Sequence, residues 1–294
     1  MWVSPSKYGI PVTAPLADHR VLVTGGSRGI GRAVCRRAAQ QGAQVIVAAR
    51  DSAAVEDTLA VLDGNGHEGL TLDVAYHDAW VRAMREVDRG GALHGCVAAA
   101  GVLGPIGPID IVDPAEFRRT LAVNVDGTFL ALRHALPRLA ASGCGAAVTF
   151  SGGGGTGPLP RYDAYAASKS AVVRLTENVA AVARARSVAV NAIAPGFVAT
   201  EIHQGTLAAG PARAGTEYYE RTERHLAEGD AGADVAAELV CFLLGAEGRR
   251  ITGKLISAQW DPWRDPPFRA RLADDPDLAT LRRIDDQLFS RVGR

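Results

Sequence analysis

The chain has 294 residues, 47% of them hydrophobic, enough to bury one full core and ordinary for a single α/β domain. Its 32 Lys and Arg balance 32 Asp and Glu, so no charge excess points to nucleic acid or to an anionic membrane. No apolar run approaches the roughly 18 residues of a membrane span, and residues 1–16 lack the continuous apolar core of a signal peptide, so a cytoplasmic location is expected by default. Cys35, Cys96, Cys144 and Cys241 form no Cys-x-x-Cys pair and the seven histidines form no ligand cluster, so no metal is expected.

The first element is a short β-branched strand over 20–23. It runs into Gly25-Gly26-Ser27-Arg28-Gly29-Ile30-Gly31 and then an alanine-rich helix to about Gln41. Glycine at such a turn permits positive φ and close backbone approach to a pyrophosphate, which a helix N-terminus favours electrostatically. The second strand, over 44–48, is expected to end beside an adenosine ribose, where a carboxylate would mark NAD. Ala49 stands there instead, followed by Arg50, with Arg28 nearby in the glycine turn. Two guanidiniums suit a 2′-phosphate, so NADP(H) is favoured over NAD(H), although Asp51 leaves room for a ribose carboxylate.

Further strands are expected over 69–72, 95–99, 146–150, 188–193 and 255–257, with helical stretches between them. Alternating strand and helix implies parallel βαβ units with helices on both faces, a doubly wound seven-stranded sheet. Ligands bind such sheets beyond the carboxyl ends of the strands. Gly25, Asp73, Gly101, Ser151 and Pro195 all fall there. After the fifth strand, Tyr165 and Lys169 stand four apart, a spacing that puts both on one helix face. An ammonium beside a phenol favours its ionised form, and a phenol so tuned can exchange a proton with a secondary alcohol.

Residues 200–232 hold glycines, alanines, His203, His225 and the pair Tyr218-Tyr219, a composition expected of a substrate lid. Solvent exposure is the favoured reading for both histidines. The tail, 258–294, opens with a proline-rich run that cannot continue a helix. It then offers Leu278, Leu281, Ile284 and Leu288 at helical spacing, to pack on a neighbouring subunit or on its own core.

Taken in order, these pieces resemble the short-chain dehydrogenase/reductase family over roughly 18–257, between an N-terminal arm (1–17) and the tail. Thr24 to Gly31 is similar to the family's cofactor turn, Leu72-Asp73-Val74 to its adenine-contacting step, Asn124 to its helix asparagine, and Tyr165 with Lys169 to its catalytic pair. Ala99 and Gly101 lie in the piece after strand four, and Pro195, Gly196, Val198 and Thr200 match the stretch that contacts the nicotinamide. The resemblance implies a Rossmann-like fold and hydride transfer between a nicotinamide cofactor and an alcohol or ketone. In that scheme Tyr165 is the acid or base, Lys169 lowers its pKa and bonds the nicotinamide ribose, and Asn124 orders a relay water. It also implies a homodimer or homotetramer through the helix from about Asp113 and the one carrying Tyr165, where Ala166, Ala167, Ala171, Val172 and Val173 would let two helices approach.

Two departures stand out. Ala98-Ala99-Ala100-Gly101 lacks the asparagines usual before Ala-Gly, and the serine position thirteen before the tyrosine is Gly152, with Ser151 one residue earlier. A one-residue offset turns a strand side chain to the other face, unless the glycines after Ser151 let a bulge re-aim it. Ser151, or a backbone N–H near Gly152, is expected to steady the carbonyl oxygen. Epimerisation or elimination without net redox change, and a nucleotide-binding scaffold that has lost catalysis, remain the alternatives.

Overall fold

The computed structural model describes residues 14–228 and 232–283. In chain order the strands are β1 (Arg20–Thr24), β2 (Gln44–Ala49), β3 (Glu68–Thr71), β4 (Gly95–Ala98), β5 (Ala146–Phe150), β6 (Ala189–Ala194) and β7 (Leu255–Ser257). They form one parallel sheet in the order β3-β2-β1-β4-β5-β6-β7. The strands read from the sequence agree to within one residue at each end. The helices are α1 (Gly29–Gln40), α2 (Ser52–Leu59), α3 (His77–Arg89), α4 (Pro114–Leu121), α5 (Gly127–Ala141), α6 (Asp163–Ala183), α7 (Gln204–Ala214), α8 (Thr216–Glu228), α9 (Gly232–Leu244) and α10 (Pro266–Asp274).

Successive strand side chains point to opposite faces, and the two faces feed separate cores. Val21, Val23, Val45 and Val47 pack with α1 and α9, while Leu22, Ile46, Cys96 and Val190 pack with α3, α5 and the end of α6. Each buried Val, Leu or Ile contributes about 1.5–3 kcal/mol of transfer free energy. That burial on both faces explains strands that read as continuous apolar runs. β1 has β2 on one side and β4 on the other, so the direction in which successive strands are added reverses there and a crevice opens at the carboxyl ends. A third cluster lies beyond those ends, built from Leu103, Ile106, Tyr162 and Ala214 with Ile202, Ala209, Tyr218 and Tyr219 packed against it.

The ends of the chain correct two expectations. Leu16, assigned to the arm, is fully buried and its N–H donates to Gln41 O at 3.1 Å, so the domain begins before residue 18; residues 1–13 lie outside the described ones. In the tail, α10 begins at Pro266-Pro267, where a helix tolerates proline because first-turn N–H groups have no intrahelical partner. Leu278 and Leu281 are not helical, and Ile284 and Leu288 lie outside the described residues. The described tail covers the chain's own core. Trp263 and Leu272 are buried there, Leu255 N–H donates to Ala279 O at 2.7 Å alongside β7, and Leu281 N–H donates to Glu177 Oε1 at 2.7 Å on α6.

On α6, Val172 and Val173 are buried within the chain rather than offered to a partner, whereas Ala167 and Ala171 are exposed. No helix among the described residues is long and apolar enough to cross a membrane.

Candidate active site

The glycine turn between β1 and α1 is fixed by backbone sterics. Gly25 (φ +67°) and Gly29 (φ +51°) occupy the left-handed region, and a Cβ on Gly25 would come within 2.8 Å of the Ala100 backbone. At Gly31 an added Cβ would overlap the Gly25 carbonyl oxygen. Arg28 precedes α1 in extended conformation and supplies no side-chain cap, which leaves first-turn N–H groups for a ligand. The neighbouring Ala98-Ala99-Ala100 stretch lacks amide side chains, and Thr24 takes up the tie: its hydroxyl donates to Val97 O and accepts from Ala100 N–H, both at 3.4 Å.

Beside the turn lies a cavity of about 290 Å³ lined by Ser27, Arg28, Arg32, Asp51, Ala54 and Asp57. Arg32 was not singled out in the sequence; its signal is its place four residues after Arg28, one helical turn on. Arg50 is exposed and does not line this cavity. Asp51 does, but its carboxylate caps α2, accepting from Ala53 N–H at 3.0 Å and Ala54 N–H at 3.3 Å. Asp73 similarly accepts from Ala75 N–H at 3.1 Å, and Val74 beside it is buried against Gly127. These residues fit a nucleotide cofactor: the cradle admits no Cβ, and two guanidiniums flank the cavity.

Across the crevice, α6 carries Tyr165 and Lys169. The Lys169 ammonium donates to Phe150 O at 3.1 Å and lies 5.4 Å from the Tyr165 ring centroid. Burial lowers Lys169 to about 8. Burial also pushes the Tyr165 phenol above the ordinary tyrosine value, with Tyr218 adding in the same direction. This is the opposite direction to the lowering expected of a neighbouring ammonium, and its largest cause is the desolvation of a buried phenolate.

Asn124 sits in a five-residue π-helical stretch, Ala122–Asp126, between α4 and α5; such interruptions of a helix occur often at functional sites. Its amide oxygen accepts from Val102 N–H at 2.9 Å, and its amide nitrogen donates to Val102 O and Ser168 Oγ, each at 2.9 Å. Ser168, next to Lys169, thus couples the two helices, a contact invisible in the sequence. Gly101 lies between them: a Cβ there would stand 3.4 Å from Asn124 Oδ1 and 3.6 Å from Lys169 Nζ.

Gly152, not Ser151, faces the tyrosine. A Cβ on Gly152 would overlap Tyr165 Oη, whereas Ser151 Oγ packs at the place a Gly155 Cβ would take. The bulge that could re-aim Ser151 does not form, because Ser151 N–H continues the sheet ladder to Ile193 O at 2.8 Å and the turn comes only afterwards, where Gly155 N–H donates to Gly152 O at 3.0 Å.

The remaining predicted residues close the cleft. Gly196 (φ +82°) is packed by the Gln259 side chain, which donates to Phe197 O at 3.1 Å. Val198 and Pro195 are buried, and Thr200 Cγ2 would lie 3.3 Å from a Gly29 Cβ, so the 195–200 stretch meets the glycine turn. His203 and His225 are not simply solvated. Both rings lie against Phe197, at 4.1 and 4.6 Å, and His203 Nδ1 is buried with no hydrogen-bond partner among the described residues.

The short chain dehydrogenase model matches residues 19–209. The chain is similar to 2-(S)-hydroxypropyl-CoM dehydrogenase 3 of Xanthobacter autotrophicus, 32% identical over 241 residues covering 81% of this chain and 94% of that protein. It is likewise similar to cis-4-hydroxycyclohexanecarboxylate dehydrogenase of Sinomonas cyclohexanicum, 32% identical with 78% and 94% covered. Among solved structures, a short-chain type dehydrogenase/reductase from Mycobacterium ulcerans superposes with a TM-score of 0.71 at 31% identity, covering 82% of this chain and 88% of that one. The chain therefore belongs to the short-chain dehydrogenase/reductase family and is an NAD(P)-dependent oxidoreductase acting on CH–OH groups.

Proposed function

We propose that the chain interconverts a secondary alcohol and a ketone, with Tyr165 exchanging the proton at the substrate oxygen. The observation that carries this reading is the placement of Tyr165 Oη against Gly152, where no side chain intervenes, one helical turn from Lys169. When bound, the nicotinamide supplies the hydride chemistry at the carbinol carbon. In the direction of ketone reduction, Tyr165 Oη gives its proton to the carbonyl oxygen and is left as a phenolate, which the Lys169 ammonium stabilises. A phenol held protonated by burial is ready for that donation. Asn124 holds the 101–102 backbone beside Lys169 through its paired bonds to Val102. Ser151, directed at Gly155, has no direct part in this scheme. Relatives named for hydroxypropyl and hydroxycyclohexane substrates support a secondary alcohol.

For the cofactor the reading is NADP(H) over NAD(H), held by Gly25, Ser27, Gly29, Ile30 and Gly31 with Arg28 and Arg32 at the 2′-phosphate. The support is that Asp51, the carboxylate best placed for a ribose, is already bonded to two backbone N–H groups. Free Cys35, Cys96, Cys144 and Cys241 support a reducing, cytoplasmic setting. Exposed Ala167 and Ala171 on α6 support a homodimer or homotetramer.

The test is stoichiometric. Substrate conversion should match cofactor oxidation or reduction one for one, and Tyr165→Phe should slow it about a hundredfold or more while leaving cofactor affinity intact. Conversion without net redox change would replace this reading with epimerisation or elimination.

A further inference from the structure

Four consecutive glycines, Gly152 to Gly155, follow β5 after Ser151 and bring no side chain of their own to hold them. Glycine loses more backbone freedom on folding than any other residue, so the order of this run has to come from bonds to the rest of the chain. It forms one tight turn. Gly155 N–H donates to Gly152 O at 3.0 Å, Gly154 has φ +85°, and Gly153 is not at positive φ, which makes a type II turn with Gly153 and Gly154 at its centre.

The turn lies on α6, the helix of Tyr165, with backbone packed against helix. A Cβ on Gly152 would overlap Tyr165 Oη, one on Gly154 would stand 2.6 Å from Ala166 Cβ, and one on Gly155 would stand 3.6 Å from Lys169 Cβ. Among the described residues, one side chain of α6 bonds this turn: Ser170 Oγ donates to Gly154 O and Gly155 O, at 3.2 Å each. The serines on either side of Lys169 are thus committed to different walls. Ser168 Oγ donates to Tyr165 O at 2.7 Å and accepts from Asn124, whereas Ser170 fastens the turn against which the Tyr165 hydroxyl rests.

Resting on the reading of Tyr165 as the group that exchanges the proton, we propose that Ser170 is a positioning residue for the reaction. Its hydroxyl holds the 152–155 turn against α6, and the turn in its place fixes where the Tyr165 phenol points. Without that bond the glycines regain their freedom, Gly152 backs away from the phenol, and the reacting oxygen loses the alignment on which rate depends.

Ser170→Ala removes the hydroxyl, and Ser170→Cys keeps the bulk with a far weaker donor. Gly153→Pro supplies the missing order by another route. Proline suits the second position of a type II turn, Gly153 N–H has no partner to lose among the described residues, and a Cβ there meets Leu159 Cδ2 at 3.5 Å. The phenol is followed by NMR of isotope-labelled tyrosine rings, assigned with Tyr165→Phe, and the reaction by single-turnover reduction of cyclohexanone in NADPH-loaded enzyme. Ser170→Ala and Ser170→Cys should bring the Tyr165 titration, raised by burial, back toward the ordinary tyrosine value. They should also slow hydride transfer about tenfold, the scale of one hydrogen bond, with cofactor affinity unchanged. Adding Gly153→Pro should restore both. Wild-type titration and rate in Ser170→Ala, or losses that Gly153→Pro leaves in place, would overturn the proposal. The NMR signal needs no substrate, so it decides the matter even where cyclohexanone is not reduced. A Tyr165 titration that answers to Ser170 and Gly153 in this way, beside full turnover in Tyr165→Phe, would uphold the hold on the phenol and sink the part given to Tyr165 in the alcohol–ketone reading.

Discussion

The two ends of the cleft are built differently. At the glycine turn the geometry is set by backbone against backbone: Gly25 against Ala100 and Gly31 against the Gly25 carbonyl. At the α7–α8 end it is set by side chains, Tyr218 on Tyr162 and two histidines on Phe197. Backbone constraints leave residue-type signatures, since only glycine satisfies them. Side-chain contacts between distant segments leave few, since many residues can supply a packed face. A cofactor common to many reactions can be held by the first kind of construction, and a substrate particular to one reaction by the second.

Substitutions at the two ends should therefore differ in severity. Gly31→Ala forces a methyl into the Gly25 carbonyl, and the backbone must move; cofactor affinity should fall about tenfold or more, the scale of one lost charge-assisted bond to the pyrophosphate, about 1.5–3 kcal/mol. Isothermal titration checks this, and normal binding would break the claim that sterics alone fix the cradle. By contrast Tyr218→Phe at the α7–α8 end should leave cofactor affinity unchanged.

Lys169 sits between the two ends, and its burial gives a stability signature. Its folded value of about 8 lies below the ordinary 10.5. Below pH 8 the folded and unfolded states both carry the proton, and the full penalty of burying the charge is present. Between pH 8 and 10.5 the unfolded state holds more protons, so stability rises with pH, and above that the penalty is gone. Relative to Lys169→Met, the wild-type chain should gain on the order of 3 kcal/mol across that window. Denaturant unfolding at a series of pH values measures it; a constant difference would mean that Lys169 is not desolvated.

A smaller effect belongs to the rim of the cradle. Arg28→Ala with Arg32→Ala should reduce the preference for NADP(H) over NAD(H) by about tenfold or more, since each charge-assisted bond is worth about 1.5–3 kcal/mol. Arg50→Ala, at an exposed position away from the cavity, should change the ratio little. Fluorescence titration of both cofactors distinguishes these outcomes, and a ratio unmoved by the double substitution would remove the arginines from cofactor choice.

The sheet was legible because most of its strands are short apolar runs spaced by helical stretches, and burial on both faces of the central strands leaves that pattern uninterrupted. The cradle was legible through its glycines, and the pair Tyr165 and Lys169 through helical periodicity. Arg32, which lines the cavity beside the turn, leaves no such signature, because an arginine on a helix face reads as an ordinary solvated side chain. The third cluster leaves no sequence signature because Leu103, Tyr162 and Tyr218 are far apart in the chain and meet only in the folded structure. At 278–281 a helical spacing misled, because apolar residues that cover an edge strand can recur at that interval without forming a helix. The direction of Ser151 depended on whether the chain bulged, and continuation of the ladder to Ile193 decided that in a way composition could not.

The central claim is that proton transfer rests on Tyr165 facing a glycine, with Ser151 turned aside. Single-turnover hydride transfer, measured by stopped flow in Ser151→Ala and Tyr165→Phe under the same conditions, tests it most directly. The account predicts that Ser151→Ala stays within about threefold of wild type, whereas Tyr165→Phe falls by about a hundredfold or more. A loss of about 10²- to 10³-fold in Ser151→Ala, the scale for removing one preorganised donor, would contradict it and return the serine to the reacting oxygen.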